Sequence, residues 1–362
     1  MRVTTEPGSG GYAGASVEDF LVDEYLPYSP LNEGEHLFVR IQKRGLTTPE
    51  AIRRLLAAWG GPCPSGAVGS AGLKDRHAVA TQWLSLPWPI KTPLPVPVES
   101  DDGALIVLQM ARHPHKLRTG HVQRNLFDIR VRGTTRAGLE RAQVVAHTLM
   151  ARGAPMRFGP QRFGRRGDNV QTGLAWLQGG GRPPRDRRLR RLQESAVQAF
   201  AFNAVLDHRV SRGLWDRVLP GDLLKRADSG GLFISSEPEK DQARLRQLEV
   251  HGTGPIIGRR MRWPDGQAKA LEESVVEGLG WTEALWSRLG PGTRRPLRAR
   301  LDPPLSFTPT DDGYRVQFGL PAGGYATVVL DELVKPPDGP LVRAVDSPSD
   351  LASVPERPDD QR

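Results

Sequence analysis

The chain has 362 residues, 38% hydrophobic and 25% charged, with 50 basic side chains against 41 acidic ones and a formal charge of +9. That length suits two domains, and no apolar run is long enough to cross a bilayer. A single cysteine, Cys63, excludes an internal disulfide and a cysteine-based zinc site, and the positive balance favours a polyanionic partner, with nucleic acid as the default.

The first residues, MRVTTEPGSGGYAG, carry no apolar stretch of a secretory leader, so a cytoplasmic setting without membrane association is expected. Residues 19–24 read as a strand, and residues 36–42 alternate apolar with polar as a second one. Thr47-Thr48-Pro49-Glu50 then opens a helix with a hydroxyl cap and an early proline. Ile52, Leu55 and Leu56 share a face of that helix, and Gly60-Gly61-Pro62 stops it. Residues 68–72 are small and turn-like, and residues 78–86 alternate imperfectly as a half-buried strand. Further strands are expected over 104–112 and 126–132, flanking a basic, histidine-containing segment, and a helix over 137–152.

Phe158-Gly159-Pro160-Gln161-Arg162-Phe163-Gly164 reads as a glycine-punctuated loop, and a second unit is expected from there. Residues 182–191 carry six arginines and lead into a helix on which Leu189, Leu192, Ala196, Ala199, Phe200, Asn203, Leu206 and Val210 recur at helical spacing. Asn203 interrupts that face and must be hydrogen-bonded if it is buried. Short strands and turns follow around residues 221–222, 231–235 and 253–258, then a helical stretch over 268–289. Strands return over 297–301, 314–320 and 325–333, and the last two dozen residues, rich in Pro, Asp and Ser, read as a disordered tail.

The segment with the most chemistry is Gly72-Leu73-Lys74-Asp75-Arg76. It sets one carboxylate between two cations in a loop at the mouth of a sheet, where function concentrates. Opposite charge within a few ångströms favours the ionised form, so Lys74 and Arg76 are expected to hold Asp75 as the anion. Taken alone, such a triplet is usually a solvated turn.

Its company changes that reading. Glu18-Asp19-Phe20-Leu21-Val22-Asp23-Glu24, Gly34-Glu35-His36-Leu37, the Asp75 segment with Gln82-Trp83-Leu84, and Gly120-His121 with Asn125-Leu126-Phe127 occur in order. They are followed by the loop from Phe158, Ser195-Ala196 with Phe202-Asn203, Thr253-Gly254-Pro255-Ile256-Ile257-Gly258, and Leu320-Pro321-Ala322-Gly323-Gly324-Tyr325-Ala326-Thr327. Together these resemble the TruD family of tRNA pseudouridine synthases over roughly residues 16–335.

The resemblance implies an α/β (α+β) catalytic domain of the pseudouridine-synthase fold, with a mixed, largely antiparallel sheet and an inserted α/β domain. The expected boundaries are residues 1–158 and 301–336 for the catalytic domain, 159–300 for the insertion and 337–362 for the tail. It implies isomerisation of uridine in tRNA, at position 13 by family precedent, by a monomer that needs no cofactor and no metal. No P-loop and no G-x-G-x-x-G stands in the chain. His113, His115 and His121 come nearest to a metal set, and in their basic surroundings backbone or phosphate contact is the expected use.

By the same resemblance Asp75 is the catalytic carboxylate, attacking C1′ or removing a C2′ proton. Phe20 and Tyr325 line the pocket, Asn125 contacts the nucleotide, and Phe127 packs under the base. The residues alone also allow core packing for Phe20, Phe127 and Tyr325, and a strand-entry turn for Asn125. The arginine run at 182–191, and Arg157, Arg162, Arg165 and Arg166, are candidate RNA-phosphate contacts, a charge run being as commonly a solvated loop. Three positions depart from the pattern. Gly14 stands where the family usually has lysine, Arg124 where glycine commonly precedes the asparagine, and Tyr325 where phenylalanine is frequent. For the missing cation, Arg124 or Lys116 is a candidate substitute. Two other readings stay open: a non-catalytic RNA-binding or chaperone relative, and a synthase acting on another RNA.

Overall fold

The structure, a computed structural model, describes residues 1–164, 166–336 and 341. The expected tail and Arg165 therefore lie outside the described residues, apart from Leu341. The fold is mixed α/β and divides into two compact units. No helix among the described residues is long and apolar enough to cross a membrane.

One unit comprises residues 11–123 and 127–133. Its strands are β1 (Tyr12–Ala13), β2 (Phe20–Tyr25), β3 (His36–Arg44), β4 (Gly69–Ser70), β5 (Val79–Pro87), β6 (Leu105–His113) and most of β7 (Arg124–Arg132). Within it the order is β7-β2-β5-β3-β6, with β1 on β7 and β4 on β5. The pair β2–β5 is parallel, Leu21 opposite Val79, while β3 runs antiparallel to both β5 and β6. Strand β5 is not the half-buried strand its imperfect alternation suggested but is buried almost throughout, as a strand covered on both faces is.

Helix α1 (Thr48–Ala58) packs Ala51, Leu55 and Leu56 against Leu37, Val39, Ile41, Leu84, Leu86 and Leu105 of the sheet. Each such leucine stabilises the fold by about 1.5–3 kcal/mol relative to exposure. The helix starts where the sequence placed it. Thr47 Oγ1 accepts from the Glu50 N–H at 3.3 Å, and the Glu50 carboxylate takes the Thr47 N–H at 2.7 Å, a reciprocal cap.

The other unit holds residues 1–10, 124–126 and 134–341. It contains α2 (Arg136–Arg152), β8 (Ala154–Pro155), α3 (Asn169–Leu177), α4 (Arg187–Ser211), β9 (Leu223–Arg226), β10 (Leu232–Ile234), α5 (Pro238–Arg246) and β11 (Val250–Ile256). After these come α6 (Gly266–Gly278), α7 (Glu283–Trp286), β12 (Thr293–Pro296), β13 (Arg298–Ala299), β14 (Ser306–Thr310), β15 (Gly313–Pro321) and α8 (Ala326–Val334). Strands β10-β9-β11-β12 form a sheet, β8 pairs with β13, and β14–β15 is a hairpin. Two fully buried ion pairs, Arg209 with Asp222 and Arg294 with Glu272, tie α4 and α6 to the strand region.

Several elements differ from expectation. Residues 325–333 are not a strand but the helix α8, with Tyr325 as its N-cap residue. Thr327, Val328 and Val329 carry strand propensity, yet Ala326, Val329, Leu330 and Leu333 are all buried, so packing on more than one side overrides it. On α4, Leu189, Leu192 and Phe200 are exposed, each 40%, while Val197, Ala201, Phe202 and Val205 are buried. The apolar stripe therefore lies to one side of the face expected. The stretch 268–289 breaks into α6 and α7 at Gly280, whose φ of +71° ends a helix readily. Helices α3 and α5 were not anticipated.

Asn203 is buried and paired as its position required. Its Oδ1 accepts from the Phe158 N–H at 2.9 Å and its Nδ2 donates to the Phe158 carbonyl at 3.0 Å, fixing the start of the 158–164 loop. Replacement by alanine strands both backbone groups, so Asn203→Ala is expected to lower stability by about 1–3 kcal/mol, read from urea unfolding. An unchanged midpoint would show that solvent or another side chain takes over both bonds.

Candidate active site

The Asp75 loop lies between β4 and β5 and is fastened by three elements of its own unit. From β2, Glu24, fully buried, pairs with the Lys74 ammonium at 2.6 Å while its other oxygen takes the Trp83 N–H. From the start of α1, Thr48 Oγ1 accepts the Lys74 N–H at 3.0 Å and donates to Gln82 Oε1 at 2.9 Å. From β3, Lys43 Nζ donates to the Asp75 backbone carbonyl at 2.6 Å and to the Leu46 carbonyl at 2.6 Å. Arg76 Nε donates to the Gly45 carbonyl at 3.3 Å, extending the attachment to the β3–α1 turn. Gly72 has open space around its Cα and an ordinary backbone, so the loop needs no glycine there for steric reasons.

Asp75 itself presents surface to solvent, yet protein crowds it closely enough that loss of hydration pushes its carboxyl pKa up. Lys43, Lys74 and His77 oppose that rise with positive charge. Of the two flanking cations, Lys74 acts on Asp75, whereas Arg76 leans toward Gly45 and helps lower the Glu50 pKa. The carboxylate thus faces the exterior with too little water for an ordinary surface group, and the cations Lys43 and Lys74 that favour its ionised form are themselves tied down.

Phe20 and Phe127 meet edge to face, ring centres 6.1 Å apart. The register Leu21 opposite Val79 brings Phe20 to the end of β2 that adjoins the Asp75 loop. Both rings are mostly enclosed, at 7% and 8% exposure. Asp19, at the entry to β2, accepts from Arg132 Nε at 2.9 Å and from its Nη2 at 2.8 Å, a forked pair that fixes the strand beneath Phe20.

Asn125 and Tyr325 belong to the other unit, Asn125 half-buried as the second residue of β7. Tyr325 sits in a cluster of its own. Arg162 Nε donates to the Tyr325 hydroxyl at 3.1 Å and Arg162 Nη1 to Ser195 Oγ at 3.1 Å. Phe158 lies edge-on to Tyr325 at 5.9 Å, and the Arg295 guanidinium stacks over Phe158 at 4.2 Å. Arg295 also donates to the Met156 and Gly323 carbonyls, and burial brings its pKa down to about 10. Among the described residues neither Arg162 nor Arg295 has a carboxylate partner. Gly159 permits this closeness, since a Cβ there would stand 3.0 Å from the Tyr325 ring and 2.6 Å from Gln161.

The other candidate cations are placed variously. Arg157 is engaged by Asp207, which the N-terminal ammonium also meets at 3.0 Å, and Arg166 is exposed. Arg124, suggested for the missing cation, pairs with Asp302 at 2.8 Å. The arginines of 182–191 are exposed and crowd the N-terminal turns of α4. His113 stacks on Tyr28 at 5.3 Å and packs on Phe38, and His121 Nδ1 meets the Tyr28 hydroxyl at 2.9 Å. Those histidines form an aromatic cluster, and no metal-holding group occurs among the described residues.

Sequence reading passed over Lys43, Glu24 and Thr48. A signal for Lys43 was present: Leu37, Val39, Ile41 and Lys43 fall on one face of a strand, so a lysine occupies an apolar position.

A family model described as tRNA pseudouridine synthase D (TruD) matches residues 1–181 and 185–333. A tRNA pseudouridine synthase D from an Anaeromyxobacter species is 45% identical over 342 residues, covering 92% of this chain and 95% of the relative. One from Thermus thermophilus is 36% identical, covering 91% and 90%. Among solved structures, a putative tRNA pseudouridine synthase D from Methanosarcina mazei superposes with a TM-score of 0.69 at 22% identity, covering 92% of this chain and 96% of that one.

Removing Glu24 takes a fully buried carboxylate away from the almost enclosed Lys74 ammonium and from the Trp83 N–H. Glu24→Ala is expected to lower stability by about 3–5 kcal/mol, and Glu24→Ala with Lys74→Met to recover much of it, because an apolar pair in place of a buried ion pair is often neutral. Denaturant titration of the two variants checks this. Equal losses would show that Glu24 acts through Trp83 rather than Lys74.

Proposed function

Because the chain belongs to the tRNA pseudouridine synthase D (TruD) family, we propose that it isomerises a uridine of tRNA, at position 13 by family precedent, with Asp75 as the carboxylate that starts the reaction. The observation that carries this reading is Asp75 itself: solvent-facing, raised in pKa by lost hydration, acted on by the cations Lys43 and Lys74 and fixed on a fastened loop. A perturbed acid in such a setting marks a functional residue far more often than a structural one.

In the reaction the N1–C1′ bond breaks, the uracil turns, and C5 bonds to C1′. N1 gains a proton and the C5 hydrogen leaves to solvent, so no electrons are exchanged. Asp75 serves either entry step, attack at C1′ or removal of the C2′ proton, and both require the anion. The uridine must leave its stack to be reached. Phe20 and Phe127, being mostly enclosed, suit a firm floor rather than a free stacking face. For Asn125 and Tyr325 the proposed roles are those of the resemblance, a donor–acceptor pair for a pyrimidine edge and an aromatic wall.

The partner proposed is tRNA held largely through phosphates. Arg187, Arg188 and Arg191 stand in the first turns of α4 with no ion pair among the described residues. Cations at a helix N-terminus oppose its dipole by about 0.3–1 kcal/mol each, so helix stability does not explain their presence. Arg162 and Arg295, without carboxylate partners among the described residues, are further phosphate candidates.

Wild-type protein incubated with tRNA tritiated at uridine C5 is expected to release tritium, and Asp75→Ala to release none above background. Absence of release by wild type on any tRNA ends the proposal. Converting Arg187, Arg188 and Arg191 to glutamine is expected to weaken tRNA binding and flatten the slope of log affinity against log salt by roughly 2–3. An unaltered slope would make the run a solvated helix end.

A further inference from the structure

We infer that Lys43 is a positioning residue for the reaction, holding the Asp75 main chain and supplying buried positive charge beneath the Asp75 carboxylate. The inference rests on the reading of Asp75 as the catalytic acid. Lys43 is wholly enclosed, at 0% exposure, on the apolar side of β3 between Ala80 of β5 and Leu105 of β6. Its carbon stem covers core surface while Nζ emerges at the strand end, where it reaches two carbonyls, those of Leu46 and Asp75.

Taking an ammonium out of water is costly, and among the described residues no carboxylate stands directly on it to offset that cost. The charged groups that act on Lys43 are Asp75 and Glu50, which favour its protonated form, and Lys74, which disfavours it. Lost hydration dominates and brings its pKa down to about 8. A structural role alone would be met at lower cost by an apolar side chain at this core position. What the lysine adds is a donor to the Asp75 carbonyl and a cation acting on the Asp75 carboxylate.

The sign of the charge effect is fixed. Crowding raises the Asp75 pKa, and Lys43 lowers it. Without the cation, protonation of Asp75 sets in at higher pH, and the acid side of the activity profile shifts upward. Deprotonating Lys43 leaves two N–H groups for its two carbonyls, so the hold on the loop persists above pH 8 while the charge is lost.

The test uses the full chain with Lys43→Met, which removes donor and charge, and Lys43→Gln, which keeps a donor and removes charge. Steady-state tritium release from tRNA is followed from pH 5 to 9, with circular dichroism and a thermal melt on each variant. Lys43→Met is expected to lower kcat by about 100-fold, the cost of a small misplacement of a reacting group, with KM for tRNA within about twofold. Lys43→Gln is expected to lose less, and both to move the acid limb up by about one pH unit. A folded Lys43→Met with wild-type kcat and acid limb overturns the inference, as does an effect confined to KM. If Lys43→Met fails to fold, Lys43→Gln decides, and an unshifted acid limb there is equally fatal. Asp75→Asn run alongside separates the two readings: full activity in that variant sinks the assignment of Asp75, whereas its inactivity with an unchanged Lys43 series sinks only the role of Lys43.

Discussion

A buried ammonium has to find oxygen, and at the end of β3 that requirement organises the surrounding chain. Lys43 closes the inward row Leu37, Val39, Ile41, so the apolar face of the strand ends in a charge. Two carbonyls satisfy it, one from the β3–α1 turn and one from the Asp75 loop, and neither can drift without leaving the charge uncompensated. The order β2-β5-β3 follows the same logic. With β5 central, the loop that enters it is flanked by β2 on one side and β3 on the other, and each neighbour contributes an ionisable residue, Glu24 and Lys43, to hold it. The sheet thereby holds the main chain of the residue that carries the carboxylate.

The other unit solves a related problem by stacking. Phe158 receives Arg295 on its face and Tyr325 at its edge, and Asn203 anchors its main chain from α4. Guanidinium planes on aromatic faces stay charged at modest desolvation cost. That leaves Arg162 and Arg295 cationic without carboxylate partners among the described residues. Here the strand-poor, glycine-rich segment gains rigidity from one buried asparagine and a set of flat side chains. The tyrosine hydroxyl, a departure from the commoner phenylalanine, has a definite partner in Arg162.

Much of this was legible in the sequence, for identifiable reasons. The α1 start, the existence of strands β3, β5 and β6 and the buried, bonded Asn203 follow from capping chemistry, apolar patterning and polar satisfaction, although the burial of β5 on both faces does not. Helix α8 was not legible, because Thr327-Val328-Val329 carries the local signature of a strand and only burial on several sides selects the helix. The face of α4 was misjudged by a small rotation, since alanines carry much of the buried side while Leu189, Leu192 and Phe200 point outward. In the candidate site, Asp75 could be picked out by its neighbours in the chain, but Lys43 lies 32 positions away and meets it only through the β3–β5 pairing. A lysine at the end of an alternating run looks like the polar boundary of a strand.

The departures at Gly14 and Arg124 acquire a physical meaning from the same electrostatics. Gly14 has φ of +76°, a conformation that would strain a lysine by about 1–2 kcal/mol. The backbone there is thus adapted to glycine, and a cation at that position would require a different path for the chain. Arg124 pairs with Asp302, which commits its charge elsewhere. The groups that do act on Asp75 are Lys43, Lys74 and His77, two of them anchored by buried contacts. An acid in a poorly hydrated setting needs enough positive charge to remain ionised at neutral pH, yet a cation bonded directly to the carboxylate would occupy the lone pairs it must offer to the sugar. Lys43, bonded to the main chain of Asp75 instead of its side chain, supplies the field and leaves the oxygens open.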